Sequence, residues 1–140
     1  MRIISASELP EEIADRVYEI ERVCFSDAWS ARSFRGEREV GRLFVAMEED
    51  VLLGYIVFWR IEDECEIANI ATHPDHRGRG VGSALLARAL ECGADKFYLE
   101  VRESNEAAKA LYFKHGFTPY GVRKNYYRNP TENAILLSKC

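Results

Sequence analysis

Three groups of residues in this 140-residue chain have the types and spacing to do chemistry. The first is Arg77-Gly78-Arg79-Gly80-Val81-Gly82, which runs into an apolar helical stretch bearing Leu85, Leu86, Ala89 and Leu90. Glycines at alternate positions let backbone N–H groups approach a ligand. A helix start adds unpaired donors and the positive end of the helix dipole. Together these make an anion site suited to a phosphate or pyrophosphate. The second group is Glu100 and Tyr112, on the strand and helix that follow. Glu100 sits near the C-terminal end of its strand, where open α/β sheets place ligands. A phenol with a pKa near 10 can donate a proton to a leaving group. The third group is aromatic: Trp29, with Tyr126 and Tyr127 beside Asn125, which can wall a channel and bond a peptide backbone. Each group also has a plain alternative. The arginines can be solvated, Glu100 can be a strand-end charge paired with Arg102, Tyr112 can be a core residue, and the other aromatics can simply pack.

The elements that carry these groups follow from periodicity. Met1 to Ala6 reads as an edge strand. A helix start at Ser7 to Pro10 leads into the stripe Ile13, Val17, Ile20 and Cys24, leaving Glu11, Glu12, Glu19 and Glu21 on a solvated face. Phe25 to Trp29 breaks that pattern, and Ser30 caps a short helix carrying Phe34. Gly36 to Gly41 reads as a charged, mobile segment. Leu43 to Met47 and Val51 to Trp59 predict a hairpin, Glu66 to Thr72 a central strand, and Gly80 to Cys92 a helix. Phe97 to Val101 follows as a strand. Ser104 or Asn105 caps a helix on which Leu111 takes the core side and Gly116 marks the end. Phe117 to Tyr127 and Ala134 to Ser138 complete the set. This order predicts a mixed α/β sheet of about seven mostly antiparallel strands, flanked by about four helices. Its Glu66 to Val101 unit is a parallel strand–helix–strand crossover.

Composition narrows the partners. Residues 1–140 read as one domain with ordinary globular composition, 47% hydrophobic and 30% charged. The net charge of -4 argues against nucleic-acid binding. No apolar run approaches the roughly 20 residues of a membrane span, and Met1-Arg2-Ile3-Ile4 lacks a signal peptide's features. Cys24, Cys65, Cys92 and Cys140 are far apart and form no metal-ligand spacing with His73, His76 and His115. Reduced thiols, a cytoplasmic location and no metal are the expectations.

The glycine loop fits neither common nucleotide motif. A P-loop needs a lysine after its last glycine, which is absent here. A dinucleotide fingerprint needs a third glycine where Ser83 stands. Glu100 does lie where a ribose-binding acid is expected, but the loop comes too late in the chain for a doubly wound sheet to follow.

The chain instead resembles the GNAT acetyltransferase superfamily. The resemblance rests on Arg77 to Gly82 after the strand Asn69-Ile70-Ala71-Thr72 and the His73-Pro74 turn. It extends to Leu99 through Asn105, Ala110 through Phe117, Arg123 through Tyr127, and the earlier Phe25 to Ser30. The ordered set looks like the RimI-like branch, which acetylates protein N-terminal amines, including one of a ribosomal protein. The resemblance implies that Arg77, Gly78, Arg79, Gly80, Val81 and Gly82 cradle the pyrophosphate of acetyl-CoA. The backbone of Ile70, Ala71 and Thr72 holds the pantetheine and thioester oxygen, and Asn105 and Tyr112 add cofactor contacts. Glu100 becomes the general base, Tyr112 the general acid, and Trp29, Tyr126 and Tyr127 the acceptor channel. The acceptor is then a protein or peptide N-terminus. Lysine side chains or small amines are the alternative acceptors, and a non-catalytic acyl-CoA-binding module is the alternative class.

Overall fold

Alternating apolar residues make the strands, and 3.6-residue stripes make the helices that cover them. The computed structural model describes residues 1–140. In chain order the elements are β1 (Arg2–Ser5), α1 (Ile13–Cys24), α2 (Ala31–Glu39), β2 (Leu43–Glu48), β3 (Val51–Ile61) and β4 (Glu64–Thr72). They continue with α3 (Val81–Leu90), β5 (Lys96–Arg102), α4 (Glu106–Lys114), β6 (Thr118–Tyr127) and β7 (Glu132–Lys139). The strands form one seven-stranded sheet in the order β1-β2-β3-β4-β5-β7-β6. Every neighbouring pair is antiparallel except β4 and β5, which are parallel and joined through α3. The expected mixed α/β architecture is the observed one.

Two cores lie on the two faces of the sheet. On one face, α1 and α2 bury Ile13, Val17, Ile20 and Phe34 against Leu43, Val45, Tyr55 and Val57. On the other, α3 and α4 bury Leu85, Leu86, Ala89 and Tyr112 against Leu53, Ile56, Phe97, Leu99 and Leu137. β6 is an edge strand and is exposed along most of its length.

Two local expectations are corrected. The helix predicted from Pro10 begins at Ile13, because Pro10 to Glu12 form turns closed by Ile13 N–H to Pro10 O and Ala14 N–H to Glu11 O. The segment Gly36 to Gly41 is not a mobile loop, since α2 runs through Gly36 to Glu39. Gly36 faces open space, so it weakens the helix only through backbone freedom. Arg38 holds the end in place by donating to Leu9 O at 2.6 Å, and Glu37 accepts from Trp59 Nε1 at 3.1 Å. On α4, Leu111 packs half-buried against the core as expected, and Tyr112 is buried beside it.

One irregularity shapes the functional region. β4 and β5 pair only at Glu64/Lys96, Cys65/Phe97 and Glu66/Tyr98, and beyond that they part. At the same point β4 carries an extra residue, Ala68, between its pairings of Ile67 with Phe58 and Asn69 with Val57. Such a bulge bends its strand, and here β4 turns away from β5 and opens the sheet.

Candidate active site

The opening is a cleft of about 420 Å³. β4 lines it with Ile67 to Ile70, β5 with Leu99 to Arg102, and α4 with Asn105, Ala108 and Tyr112. Phe25 to Asp27 and Trp29, from the α1–α2 loop, close one end together with Tyr127, Pro130 and Glu132.

The backbone of β4 faces this gap in a defined pattern. His73 N–H bonds Leu53 O across to β3 at 2.8 Å. Antiparallel pairs alternate between bonded and non-bonded positions. From the register Gly54/Thr72, Tyr55/Ala71 and Ile56/Ile70, Ala71 therefore bonds β3 while Ile70 and Thr72 turn their N–H and C=O groups toward β5. The bonds that Thr72 O accepts from Arg77 Nε at 3.4 Å and Cys24 Sγ at 3.7 Å agree with that orientation. Below lies the start of α3. Gly78 and Gly80 have φ of +78° and +80°, left-handed conformations that glycine adopts without strain, and a Cβ at either would meet nothing within 4 Å. The first-turn N–H groups of α3 are thereby presented at an open surface, which suits a pyrophosphate.

Glu100 and Tyr112 reach the gap from opposite faces. Leu99 and Val101 pack with Tyr112 in the α3/α4 core, so the alternation of β5 turns Glu100 to the other face. Tyr112 is 5% exposed and its hydroxyl has no hydrogen-bond partner, yet no side-chain polar atom is both buried and unpaired. Its hydroxyl therefore meets the cleft. Burial pushes this phenol well above the ordinary tyrosine value and keeps it protonated. The partner of Glu100 is Arg123 on β6, at 3.5 Å, and not Arg102. The phenol of Tyr126 is raised chiefly by its interaction with the Glu100 carboxylate, and that of Tyr127 by burial and then by Glu100. Glu66 is raised as well, by burial first and Glu100 second.

Of the residues singled out from sequence, Ile70, Glu100, Asn105, Tyr112, Trp29 and Tyr127 line one cleft. Asn105 Oδ1 caps α4 by accepting from Ala108 N–H at 3.0 Å, so the cap goes to Asn105 and not Ser104. Trp29 stacks on Phe34 and Trp59 at 5.5 and 6.1 Å, combining core packing with a cleft wall. Ala71 is buried against α1, and Tyr126 stands outside the cleft, edge-on to Tyr127 at 5.1 Å. Thr72 and Arg77 to Gly82 lie beyond the lining, around the start of α3. Arg77 reaches back to Cys24 Sγ at 3.4 Å, and Arg79 pairs with Glu48 at 2.8 Å and bonds His76 at 3.0 Å.

The whole chain matches known proteins in keeping with this geometry. The Acetyltransferase (GNAT) family profile matches residues 14–117. The chain belongs to that family. A ribosomal protein bS18-alanine N-acetyltransferase of Haemophilus influenzae is 35% identical over 148 residues, covering 99% of this chain and 98% of that protein. The crystal structure of the ribosomal-protein-S18-alanine N-acetyltransferase from Escherichia coli superposes with a TM-score of 0.84 at 30% identity, covering 99% and 92% of the two chains. An Arabidopsis thaliana protein solved with the bisubstrate analogue CoA-Ac-MVNAL shares the fold, with a TM-score of 0.83 at 22% identity over 99% and 97%. The protein is accordingly a GNAT N-acetyltransferase, and no helix in it is long and apolar enough to cross a membrane.

Sequence reasoning missed two parts of this GNAT site. Glu21, expected in solvent, is 1% exposed and accepts from Tyr55, Asn69 and the Trp29 backbone. The correction has a simple cause: residues 17, 20, 21 and 24 all fall on one i, i+3, i+4, i+7 stripe, so Glu21 lies on the core side. Arg102 is the second. It donates to Pro130 O at 3.0 Å, Arg128 O at 2.7 Å, Glu132 at 3.1 Å and Asp27 at 3.2 Å, and lies 4.6 Å over the Tyr127 ring. It thus ties the β6–β7 turn to the α1–α2 loop across the end of β5. No signal in the sequence joins residues that far apart.

Proposed function

We propose that residues 1–140 act as one domain that transfers the acetyl group of acetyl-CoA to the N-terminal α-amine of a protein, directly and without an acyl-enzyme. The observation that carries this reading is the single gap in the sheet reached by Glu100 from one face and Tyr112 from the other. The glycine turns and the α3 N-terminus fit the pyrophosphate, and the N–H groups of Ile70 and Thr72 fit the pantetheine and the thioester oxygen. Acetyl-CoA supplies the activated acyl group.

The chain's residues divide the proton work. Glu100 takes a proton from the α-ammonium, whose pKa of roughly 7.7–8.0 asks only for a modest base. The neutral amine nitrogen bonds to the thioester carbon, the carbon–sulfur bond breaks, and the nitrogen sheds its second proton to solvent, from which the Tyr112 phenol is reprotonated after it has given up its own. Tyr112, held protonated by its burial, gives its proton to the departing thiolate. Backbone donors on β4 stabilise the oxyanion, and losing one such donor typically costs ~2.7–4 kcal/mol. Trp29 and Tyr127 wall the acceptor's first residues, with Tyr126 on the outer rim. The bacterial relatives named for acetylating an alanine of ribosomal protein bS18 support a protein N-terminus as acceptor. The four free thiols suit action in the cytoplasm.

The test is CoA release from a panel of peptides with free α-amines, read with mass spectrometry. Glu100→Gln and Tyr112→Phe should each lower kcat by about 100-fold or more while acetyl-CoA affinity holds. Unchanged turnover in both ends the role assignment. Peptides blocked at the α-amine but carrying lysine separate α-amine from side-chain transfer.

A further inference from the structure

Glu21 is the one charged side chain in the buried set, and the reaction above does not use it. Its carboxylate is shared between two sides of the cleft. Oε1 accepts from the Tyr55 hydroxyl on β3 and from Asn69 Nδ2 on β4, the latter at 2.8 Å. Oε2 accepts from the Trp29 backbone N–H at 2.9 Å. Asn69 sits between the bulge residue Ala68 and Ile70, whose backbone faces the gap. Trp29 belongs to the loop that also presents Phe25 and Asp27 to the cleft. One turn further along α1, Cys24 meets Thr72 O at 3.7 Å. The last turn of α1 is thus fastened to β4 on both sides of Ile70.

We propose that Glu21 is a positioning residue that locks the Trp29 loop to β4, so that acceptor binding depends on its second carboxylate oxygen while cofactor binding does not. The proposal rests on the two-substrate acetyl-transfer reading. Its chemistry is that of donor counting. Three donors converge on the two oxygens of a side chain that is 1% exposed at the cleft wall, and a buried donor left without an acceptor is costly. A glutamine at this position still offers one oxygen to Tyr55 and Asn69. It turns an NH2 group toward the Trp29 N–H, and two donors then face each other. The strand side is kept and the loop side is released.

The experiment compares wild type, Glu21→Gln and Tyr55→Phe by calorimetric acetyl-CoA affinity and by steady-state kinetics with a peptide bearing a free α-amine. Glu21→Gln should keep the acetyl-CoA Kd within about twofold and raise the peptide KM about tenfold, the low end for a lost bond to a charged group. Tyr55→Phe leaves the Trp29 bond in place and should raise the peptide KM less than about threefold. A wild-type peptide KM in Glu21→Gln overturns the proposal, as does Tyr55→Phe matching it. A parallel loss of cofactor affinity, kcat and Tm in Glu21→Gln overturns it too, because that pattern is general loosening. If Glu21→Gln does not fold, amide hydrogen exchange on the wild-type protein decides. The Trp29 amide should exchange as slowly as β4 amides, with Ser26 and Asp27 fast, and rapid exchange at Trp29 overturns the proposal. Failure of the acetyl-transfer reading shows separately, as wild-type enzyme without turnover on any amine, and the exchange measurement still reads the bond itself.

Discussion

Replacing Gly54 with alanine adds one methyl group where β3 supports the end of β4. The new Cβ would stand 2.6 Å from the Ala71 carbonyl oxygen and 3.2 Å from both Thr72 Cα and Val81 Cγ1. Carbon contacts rest at roughly 3.5–4.0 Å, so β4 must retreat by about 1 Å. Two of the three neighbours are backbone atoms, which cannot swing aside as a side-chain tip can. Overpacking of this kind costs about 1–3 kcal/mol. At roughly 3–4 °C per kcal/mol for a chain of this size, Tm should fall by about 3–10 °C. The displacement lands beside the Ile70 and Thr72 N–H groups, and a misplacement of about 1 Å in a catalytic constellation can cost 100-fold in rate. Scanning calorimetry and CoA release measure the two effects. Gly36→Ala is the control, on a helix surface with nothing within 4 Å of the added atom. It should stabilise the protein by about 0.5–1 kcal/mol and leave turnover unchanged. A Gly54→Ala protein with wild-type Tm and wild-type turnover would refute the reasoning, because the strand would then have absorbed the methyl group without moving.

Two further outcomes are expected. Arg102→Met removes three bonds to the β6–β7 region and one to Asp27 of the α1–α2 loop, leaving the bonds from Arg128 and Asn129 to Asp27; it should cost about 2 kcal/mol in denaturant unfolding and raise the peptide KM with little change in acetyl-CoA affinity. His115, whose Nε2 lies 3.0 Å from Ser83 Oγ, has its pKa lowered by burial and then by Lys114 and Lys139. A histidine with a depressed folded pKa contributes stability that is full above its unfolded value of roughly 6.5 and is lost as pH falls through the folded value. Tm should therefore drop more steeply below pH ~6.5 in wild type than in His115→Gln, and identical slopes would remove His115 from the account.

What the sequence made legible was local. Gly116 announced a helix end, Ser30 a helix cap, the close-set Gly78, Gly80 and Gly82 a backbone open to a ligand, and apolar patterning located the strands. The joint roles of Glu100 and Tyr112 followed from a resemblance, and the packing sets both residues on one cleft. What escaped reading was non-local or depended on a choice between faces. At Glu21 a carboxylate argues for water and its place on the stripe argues for the core; three donors supplied by distant elements decide the matter. Gly36 argued for a loop, and Arg38 and Glu37 overrule it through bonds to Leu9 and Trp59. Leu111 packs against the α3/α4 core as its apolar side chain argues, and Tyr112 joins that core with its hydroxyl at the cleft.

The short parallel ladder between β4 and β5 has a mechanical consequence. Three paired positions join the two halves of the sheet, and the apolar packing that spans the joint lies on the α3/α4 side alone. The joint is therefore built like the spine of a book, bound by apolar packing along one edge and along the other by the bonds that Asp27 of the α1–α2 loop accepts from Arg102, Arg128 and Asn129. Bending stress on the molecule concentrates there. A molecule bonded to β4 on one leaf and packed against α4 on the other acts as a stitch through that spine. Ligand-free enzyme should accordingly show its earliest sub-global opening along this line, and occupancy should close it in proportion to RT ln(1 + [L]/Kd).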